Sequence, residues 1–302
     1  AGPDGIPNEF LYRYAQWVAK YLTIIFQTSI NQASFPVAWK EAKIIPVHKS
    51  GNTSEVGNYR PISLTSTCSK LLEHILCKHL SNYLDTHNLL SPVQHGFRRG
   101  LSTVTQLVVT VHDFAQAINR REQIDLIFLD FAKAFDKVSH PKLLLKVNEI
   151  FRNSNITQWF ISYLHSRTQY VEINKIKSKS RPVISGVPQG SVLGPLLFLI
   201  FINDLPSDLS VPVRLFADDC VIYNKITSLR DQVDLNNNLN KILLWCNEWQ
   251  MVLNPVKSVC MSITRKKVPL KYNYNIGSHD LKRVTEYKYL GLIFTPDLRW
   301  NT

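Results

Sequence analysis

The sequence is poor in cysteine, in acidic residues and in long apolar runs. Its five cysteines are odd in number and lack paired metal-ligand spacing, which indicates reduced, mostly buried thiols in an intracellular protein rather than a disulfide framework. The absence of a His/Cys cluster argues against zinc. The longest apolar stretch, Val192–Ile202, contains Gly194 and Pro195 and is too short to span a bilayer. Internal repeats and low-complexity segments are also missing, so we expect a globular fold.

The charge of the chain is one-sided. Lysine and arginine number 35 against 23 acidic residues in 302, which gives a formal net charge of +12. This surplus of positive charge favours a polyanionic partner, with nucleic acid as the leading candidate. The alternatives are a basic surface that only contacts solvent, or a fragment whose charge is balanced by other parts of a longer protein. The length and the 45% hydrophobic content suggest two subdomains. Because no initiator methionine is present, we expect an excised domain.

Hydrophobic periodicity gives a coarse map of the secondary structure. Helices are predicted over residues 8–33, 68–83, 103–117, 156–165, 191–205 and 229–249, the last with Val233, Leu239, Ile242, Leu243, Cys246 and Trp249 as its buried stripe. Strands are predicted over residues 43–47, 125–130, 169–173, 258–263 and 287–294, with a polar loop or hairpin tip at 49–59. A further helix should follow Phe131 directly and be interrupted at Pro141. Since helices and strands are interleaved but hairpins are present, the predicted fold class is α+β.

Two adjacent aspartates, Asp218 and Asp219, are the most informative feature of the chain. They lie between two short apolar runs, which places them at the turn of a hairpin. A third carboxylate, Asp130, ends another strand-like run. Clustered carboxylates need a positive counterpart, and Mg²⁺ prefers such ligands. Three carboxylates at strand ends suit two-metal phosphoryl transfer. The alternative is that Asp218 and Asp219 are ordinary turn residues.

Five segments in a fixed order resemble one protein family. They are 58–64 (NYRPISL), 128–136 (FLDFAKAFD), 186–195 (GVPQGSVLGP), 216–219 (FADD) and 289–291 (YLG). Together they resemble the reverse transcriptases of non-LTR (LINE-type) retrotransposons, jockey-like ones in particular, over nearly the whole chain. The resemblance implies a right-hand polymerase with an antiparallel palm sheet. It implies fingers with part of the palm in 1–122, and palm with some interleaved fingers segments in 123–285. It places a primer-grip strand and the start of the largely absent thumb in 286–302.

The resemblance implies an RNA-directed DNA polymerase that extends a DNA primer on an RNA template with dNTPs. Asp130 and Asp218 match its metal-binding carboxylates, and Asp219 matches the third acidic position. The backbone carbonyl of Phe131 could complete the shell of a metal ion. Two Mg²⁺ ions are expected, which Mn²⁺ could replace. Lys257 matches a lysine that protonates the leaving pyrophosphate, although a solvated lysine is the commoner outcome.

Further residues match substrate-binding positions of the family. Phe135 corresponds to a steric gate against ribose, with a core phenylalanine as the alternative. Gln189, followed by Gly190, would pack against the incoming nucleotide. It precedes a helix whose N-terminus suits phosphate or the template backbone. The alternative, a simple tight turn, explains the glycines but not the Pro-Gln-Gly-Ser string. Lys43 and Arg60 flank the polar loop and would grip the triphosphate, although Lys43 could equally be a surface lysine.

Nucleic-acid contacts are implied at two further places. Tyr289, Leu290 and Gly291 resemble the primer grip. The segment 94–103 resembles the template side of the fingers, where Arg98 and Arg99 would contact template phosphates. The resemblance also implies an endonuclease and a thumb elsewhere in the element's polyprotein, and residence in the nucleus during integration and the cytoplasm during ribonucleoprotein assembly.

Two other classes of function compete with this interpretation. An RNA-dependent RNA polymerase shares the palm carboxylates, but Phe135 and the Pro-Gln-Gly string argue against it. A non-catalytic nucleic-acid-binding relic is the second alternative, and the intact carboxylate set gives it no support.

Overall fold

The computed structural model of the chain describes residues 2–299, which contain eight α-helices and fourteen strands. The helices are α1 (Asn8–Arg13), α2 (Ala15–Asn31), α3 (Thr67–Thr86), α4 (Thr103–Asn119), α5 (His140–Phe151), α6 (Ser154–Leu164), α7 (Leu193–Ile202) and α8 (Leu229–Trp249). The strands are β1 (Glu41–His48), β2 (Tyr59–Leu64), β3 (Gln123–Leu129), β4 (Thr168–Ile173), β5 (Ile176–Lys177), β6 (Arg181–Pro182), β7 (Val213–Phe216), β8 (Asp219–Ile226), β9 (Val259–Thr264), β10 (Asn275–Ile276), β11 (His279–Asp280), β12 (Lys282–Arg283), β13 (Tyr287–Tyr289) and β14 (Leu292–Phe294). Among these described residues, no helix is both long enough and apolar enough to cross a membrane.

The chain divides into two compact units, each assembled from two separate stretches. Unit 1 contains the chain up to Leu89 together with Phe135–Phe201, and unit 2 contains Leu90–Ala134 together with the chain from Ile202 onward. Every sheet belongs to one unit, so each unit has its own hydrogen-bonded framework.

Unit 1 contains a sheet in the order β2-β1-β4-β5, with β6 also paired to β4. β1 and β2 form an antiparallel hairpin in which His48 faces Tyr59, so the polar loop between them is a hairpin tip as predicted. β4 runs parallel to β1, which brings residues from 168 onward beside residues near the start of the chain.

The helix α7 is apolar over its whole length and is the most deeply buried helix of unit 1. Two buried charged side chains lie at its ends. The carboxylate of Glu73 accepts hydrogen bonds from the N–H groups of Val192 (2.9 Å) and Leu193 (3.2 Å), and the ammonium of Lys146 donates to the carbonyl of Phe201. A negative charge at the N-terminus and a positive charge at the C-terminus complement the helix dipole, so both buried charges are stabilised.

Unit 2 contains a sheet in the order β12-β9-β3-β8-β7. Its pairs are antiparallel except β12–β9, in agreement with the predicted α+β class and antiparallel sheet. β3 is the central strand and all seven of its residues are buried. One face of the sheet packs against Phe114 and Ile118 of α4 and against Tyr289 and Phe294 of the β13–β14 hairpin. The strand that precedes Asp130 is therefore paired along both edges and covered on one face by α4 and the β13–β14 hairpin.

Most predicted elements are confirmed, and α8 spans the predicted residues. The prediction of one helix over 8–33 was wrong in detail, because Tyr14 separates α1 from α2. The helix predicted directly after Phe131 was also wrong. That segment forms a short 3-10 turn over Ala134–Lys137, and Pro141 lies in the first turn of α5 rather than interrupting a helix. Proline suits this place because the first N–H groups of a helix have no partner.

Two further expectations were wrong. The single strand predicted over 287–294 is a hairpin, since Leu290 and Gly291 adopt positive φ values of 49° and 90° and turn the chain between β13 and β14. In α8, Val233 is 37% exposed rather than buried, and Leu235 lies on the buried face instead. The five cysteines are free and four of them are buried, as the sequence indicated.

Candidate active site

Three carboxylates lie at one end of the central strands of unit 2. The antiparallel register of β3 and β8 pairs Leu129 with Cys220, so Asp130 and Asp219, one step further on each strand, lie opposite one another. Asp218 occupies the turn between β7 and β8, where Phe216 pairs with Asp219. The structure thus brings the three predicted carboxylates together.

The three carboxylates of the site concentrate negative charge in a small volume. Desolvation by the surrounding protein, followed by the charges of Asp218 and Asp130, raises the pKa of Asp219 to about 6, although the residue keeps an open side towards solvent. In the described part of the chain, neither Asp130 nor Asp219 uses its carboxylate in an ion pair or a hydrogen bond. Within residues 2–299, the carboxylates of Asp130 and Asp219 therefore have no protein counter-ion.

The donor chemistry of the site fits a divalent cation, because uncompensated carboxylates are ligands for hard ions. The Phe131 carbonyl also receives no hydrogen bond within residues 2–299, since the bridge between Phe131 and Leu253 uses the neighbouring groups of Asp130 and Ala132. As the side chains stand, no group of three His, Cys, Asp or Glu within the same residues has the geometry to hold a metal ion. A cation would therefore draw further oxygen ligands from its substrate.

The backbone of Asp130 is fixed by the loop before β9. Its carbonyl accepts the N–H of Asn254 at 2.7 Å, and its own N–H donates to the hydroxyl of Ser258 at 3.1 Å. Ser258 is fully buried and its hydroxyl donates in turn to the carbonyl of Asn254. Lys257, the predicted proton donor, lies between these residues in the chain and is exposed. Sequence reasoning missed Asn254 and Ser258, which carry no pattern beyond their nearness to Lys257.

The segment predicted to face the template lies beside β7 in unit 2. Residue Leu215 of β7 bonds through its N–H to the carbonyl of Val93 and through its own carbonyl to the N–H of His95. Arg98 donates a hydrogen bond to the carbonyl of Ser91 in its own loop, whereas Arg99 is exposed. The template roles of Arg98 and Arg99 stay a prediction.

In unit 1, the Gly186–Gly190 turn is joined to the 3-10 turn that contains Phe135. The N–H of Val187 donates to the carbonyl of Phe135 at 2.8 Å, and the amide of Gln189 donates to the carboxylate of Asp136 at 2.8 Å. Phe135 is half-buried. The structure thus brings the predicted gate and the predicted nucleotide-contacting glutamine into one cluster, held by Asp136, which the sequence did not single out.

Gly190 is required by a close approach to β2. Its φ is +118°, and a Cβ atom built there would lie 2.5 Å from the carbonyl oxygen of Ser63. The carbonyl of Gln189 accepts the N–H of Ser63 at 2.7 Å. The turn is therefore fixed to β2 as well, and glycine is the residue that fits.

The expectation that the N-terminus of α7 binds phosphate is wrong. Glu73 accepts the N–H groups of Val192 and Leu193, and the hydroxyl of Ser191 accepts that of Gly194 at 3.0 Å. The predicted capping role of Ser191 is thereby confirmed. A carboxylate already fills the place that an anion would take.

The two predicted triphosphate-binding residues differ in their environments. Lys43 is half-buried in β1 and forms an ion pair with Glu172 of β4 at 3.2 Å. Arg60 is exposed in β2, opposite Val47, and near the hairpin tip. Of these two residues, Arg60 has the exposed side chain, and the role of Lys43 would require its ion pair to break.

The predicted primer grip is the turn of the β13–β14 hairpin. Tyr289 is buried, with its ring centroid 5.4 Å from that of Phe128, whereas Leu290 and Gly291 form the turn. The ring of Tyr287 stacks on Phe128 at 4.1 Å. Burial, followed by the charges of Asp219 and Asp130, raises the pKa of Tyr287. The hairpin is thus anchored on the strand that leads to Asp130.

Carboxylates at the ends of antiparallel strands, on a mixed α+β fold, are the arrangement that the sequence predicted for a palm sheet. Comparison with known proteins specifies the family. Residues 47–294 match the model of the family described as reverse transcriptase (RNA-dependent DNA polymerase). The chain therefore belongs to the reverse transcriptase family.

The curated relatives include proteins of mobile elements, in agreement with the predicted resemblance. The chain is 30% identical to the RNA-directed DNA polymerase from mobile element jockey of Drosophila melanogaster, over 99% of this chain and 34% of that protein. It is 32% identical to the probable RNA-directed DNA polymerase from transposon BS of the same organism, over 100% of this chain and 35% of that protein. The chain thus spans about a third of the length of these relatives.

A solved structure supports the fold. Apo telomerase from Candida tropicalis, truncated from its C-terminal domain, superposes with a TM-score of 0.60 over 85% of this chain and 53% of that chain, at 11% sequence identity. At this identity the similarity concerns the fold alone, and it agrees with the predicted polymerase fold.

Proposed function

We propose that this chain is the polymerase domain of a non-LTR mobile element and extends a DNA primer on an RNA template by nucleotidyl transfer. The observation that carries the proposal is the position of Asp130 opposite Asp219, with Asp218 in the adjoining turn and no protein counter-ion on Asp130 or Asp219. The predicted division into fingers (1–122), palm (123–285) and primer-grip strand (286–302) belongs to the same proposal.

The carboxylates of Asp130, Asp218 and Asp219 and the carbonyl of Phe131 would hold divalent cations, which serve this family in general, and Mg²⁺ is the ion we propose. When bound, such ions lower the pKa of the primer 3′-hydroxyl and neutralise charge on the triphosphate. The chain itself supplies position: Asn254 and Ser258 fix the backbone of Asp130, and the register of β3 and β8 fixes its distance from Asp219. Lys257, next to Ser258, would donate a proton to the leaving pyrophosphate.

The remaining assignments concern the substrates. Phe135 would exclude a ribose 2′-hydroxyl, while Gln189 and Gly190 would shape the nucleotide site and Arg60, assisted by Lys43, would bind the triphosphate. Arg98 and Arg99 would contact the RNA template, and Tyr289, Leu290 and Gly291 would hold the primer end. The protein would be in the nucleus during integration and in the cytoplasm during ribonucleoprotein assembly. The rest of the polyprotein would supply an endonuclease and a thumb.

Primer extension tests the proposal. The purified protein should extend oligo(dT) on poly(rA) with dTTP in the presence of Mg²⁺. Asp130→Asn and Asp218→Asn should abolish extension and leave binding of the primer–template largely unchanged, because they remove ligand charge and keep volume. Asp234→Asn, an exposed aspartate of α8, is the control and should extend normally.

The outcomes separate the three classes of function. Incorporation of UTP in preference to dTTP would indicate an RNA polymerase, and binding of the primer–template without incorporation would indicate a relic. Full extension by either Asn variant would refute the carboxylate assignment.

A further inference from the structure

The turn that carries Asp218 has an unfavourable backbone conformation. Ala217, which links β7 to this turn, has a φ of 56°, in the left-handed region that residues other than glycine, asparagine and aspartate seldom adopt. Such a conformation persists only when surrounding contacts determine it. Contacts that hold the peptide groups of Ala217 should therefore be found nearby.

The side chain of Gln94 makes those contacts. It is only 2% exposed, and its Nε2 donates to the carbonyl of Ala217 at 3.1 Å. Its Oε1 accepts the N–H of Ala217 at 2.9 Å and the N–H of Gly96 at 2.7 Å. One buried amide thus satisfies both backbone polar groups of the strained residue.

The backbone of the same segment lies directly against the turn. An isolated bridge pairs Gln94 with Leu215 of β7 in parallel orientation. At Gly96, a Cβ atom would lie 2.2 Å from the nitrogen of Ala217, a distance that no side chain can accommodate without displacing the backbone. Gln94 and Gly96 therefore act on the turn together, one through hydrogen bonds and the other through the space it leaves.

We infer that Gln94 is a positioning residue for the catalytic carboxylates. By fixing both sides of Ala217, it holds the turn so that Asp218 and Asp219 stand at the end of β8 opposite Asp130. The clamp itself follows from the contacts, whereas its effect on turnover rests on the proposed polymerase function. Gln94 lies in the segment for which the sequence indicated a template contact, so the inference gives that segment a second role.

Hydrogen–deuterium exchange tests the clamp without any activity. In the wild type, peptides covering residues 93–97 and 215–219 should exchange slowly. In Gln94→Met, which keeps the volume and removes all three hydrogen bonds, both peptides should exchange about 5- to 10-fold faster, while a peptide covering β3 is unchanged. Gln94→Glu places a buried carboxylate oxygen against the carbonyl of Ala217, so its peptides should exchange at least as fast as those of Gln94→Met. Unchanged exchange at residues 215–219 in Gln94→Met would refute the clamp.

Steady-state extension tests the positioning role. At a temperature well below melting, Gln94→Met should lower kcat about 10- to 100-fold and leave the KM for dNTP and the Kd for primer–template within about twofold. The control is Gln232→Met, which removes an equally buried glutamine of unit 2 that donates to Asp125. Asp125 lies five residues before Asp130, about 17 Å away along an extended strand. This control should lower the melting temperature and keep kcat.

The outcomes are separable. The positioning role would be overturned if kcat fell in proportion to the melting temperature in both Gln94→Met and Gln232→Met. It would also be overturned if Gln94→Met kept the kcat of the wild type. If Gln94→Met does not fold, Gly96→Ala replaces it, with Gly57→Ala as the control. A Cβ atom at Gly57 meets nothing within 4 Å, so Gly96→Ala should lower kcat and Gly57→Ala should not. If the amide hydrogens of the wild type exchange slowly as described but the protein incorporates no nucleotide, the contacts of Gln94 are confirmed and the proposed function is refuted.

Discussion

The ring of Phe135 lies almost parallel to the ring of Phe198 in α7, with the centroids 4.3 Å apart and the planes inclined by 16°. Because α7 is buried along its length, Phe198 is an immobile partner, and the stack fixes the orientation of the Phe135 ring. A steric gate needs such rigidity, since a mobile ring would move away from a 2′-hydroxyl rather than exclude it.

Phe135→Val should let the enzyme incorporate ribonucleotides and keep most of its dNTP activity. Valine opens space where the ring stood, and removal of the stack costs about 0.5–1.5 kcal/mol of stability beyond the reduced burial. The measurement is the ratio of kcat/KM for dNTP to that for NTP. Phe198→Leu removes the stacking partner and keeps the Phe135 ring, so it should lower the melting temperature and reduce the ratio less than Phe135→Val does. An unchanged ratio in Phe135→Val with a lowered melting temperature would identify a core phenylalanine instead.

Glu73→Leu should destabilise the protein by about 3–5 kcal/mol, because it leaves several buried donors without an acceptor. The donors are the N–H groups of Val192 and Leu193 and the hydroxyls of Tyr163 and Ser69. Glu73→Gln keeps one acceptor oxygen and should cost less. Urea denaturation measures both, and Glu149→Leu, on the exposed side of α5, should stay within about 0.5 kcal/mol of wild type. Equal stability of Glu73→Leu and wild type would contradict the capping of α7.

Asp231 should contribute stability that depends on pH. Hydrogen bonds from the hydroxyl and N–H of Thr227, and from Ser228, lower the pKa of Asp231 from 3.8 to about 2. A lowered pKa means that the folded state favours the carboxylate, so the contribution is present above about pH 4 and is lost as the pH falls through 2.

Asp231→Asn should therefore lower stability at pH 7 by about 1 kcal/mol, as loss of a helix cap does, and the difference from wild type should shrink as the pH falls through 2. Thermal melts from about pH 1 to about pH 8 measure it. The control Asp234→Asn, one turn further along α8, should keep the stability of the wild type at every pH. A difference that persists below pH 2 would mean that packing, rather than charge, is responsible.

Primer–template binding should weaken steeply with salt, because basic side chains release counter-ions from the phosphates. An exposed basic hairpin of unit 1 carries Lys175, Lys177, Lys179 and Arg181, and no acidic residue lies between Glu172 and Asp204. Changing the three lysines to glutamine should lower the slope of log K against log salt by about 0.9 for each phosphate that the protein no longer neutralises. The triple lysine-to-arginine variant keeps the charge and should keep the slope. Salt-independent affinity in the wild type would show that the basic surplus serves another purpose.

What the sequence predicted well was local. The strand–turn–strand over 213–226 and the helix α8 follow from patterns within twenty or so residues, and the first of them contains Asp218 and Asp219. Signals that were also local but overlooked are Gly291, which marks the turn of the β13–β14 hairpin, and Pro141, which lies in the first turn of α5.

The contacts that hold the site could not be predicted in this way. Glu73 caps a helix 119 residues later, and Gln94 clamps a turn 123 residues later. A buried glutamate or glutamine in an amphipathic segment looks like a solvated residue until its partner is known. Only the folded topology brings these partners together, so their roles follow from the structure.

The interleaving of the two units has a consequence for synthesis of the protein. Neither unit is a continuous stretch, since unit 1 resumes at Phe135 and unit 2 resumes at Ile202. On the ribosome, β3 emerges before β8 and β9, the strands that pair with its two edges. At a translation rate of about 5–20 residues per second, its apolar residues stay unpaired until those strands are synthesised. We therefore expect the nascent chain to expose, for some seconds, the unpaired edges of the strand that leads to Asp130.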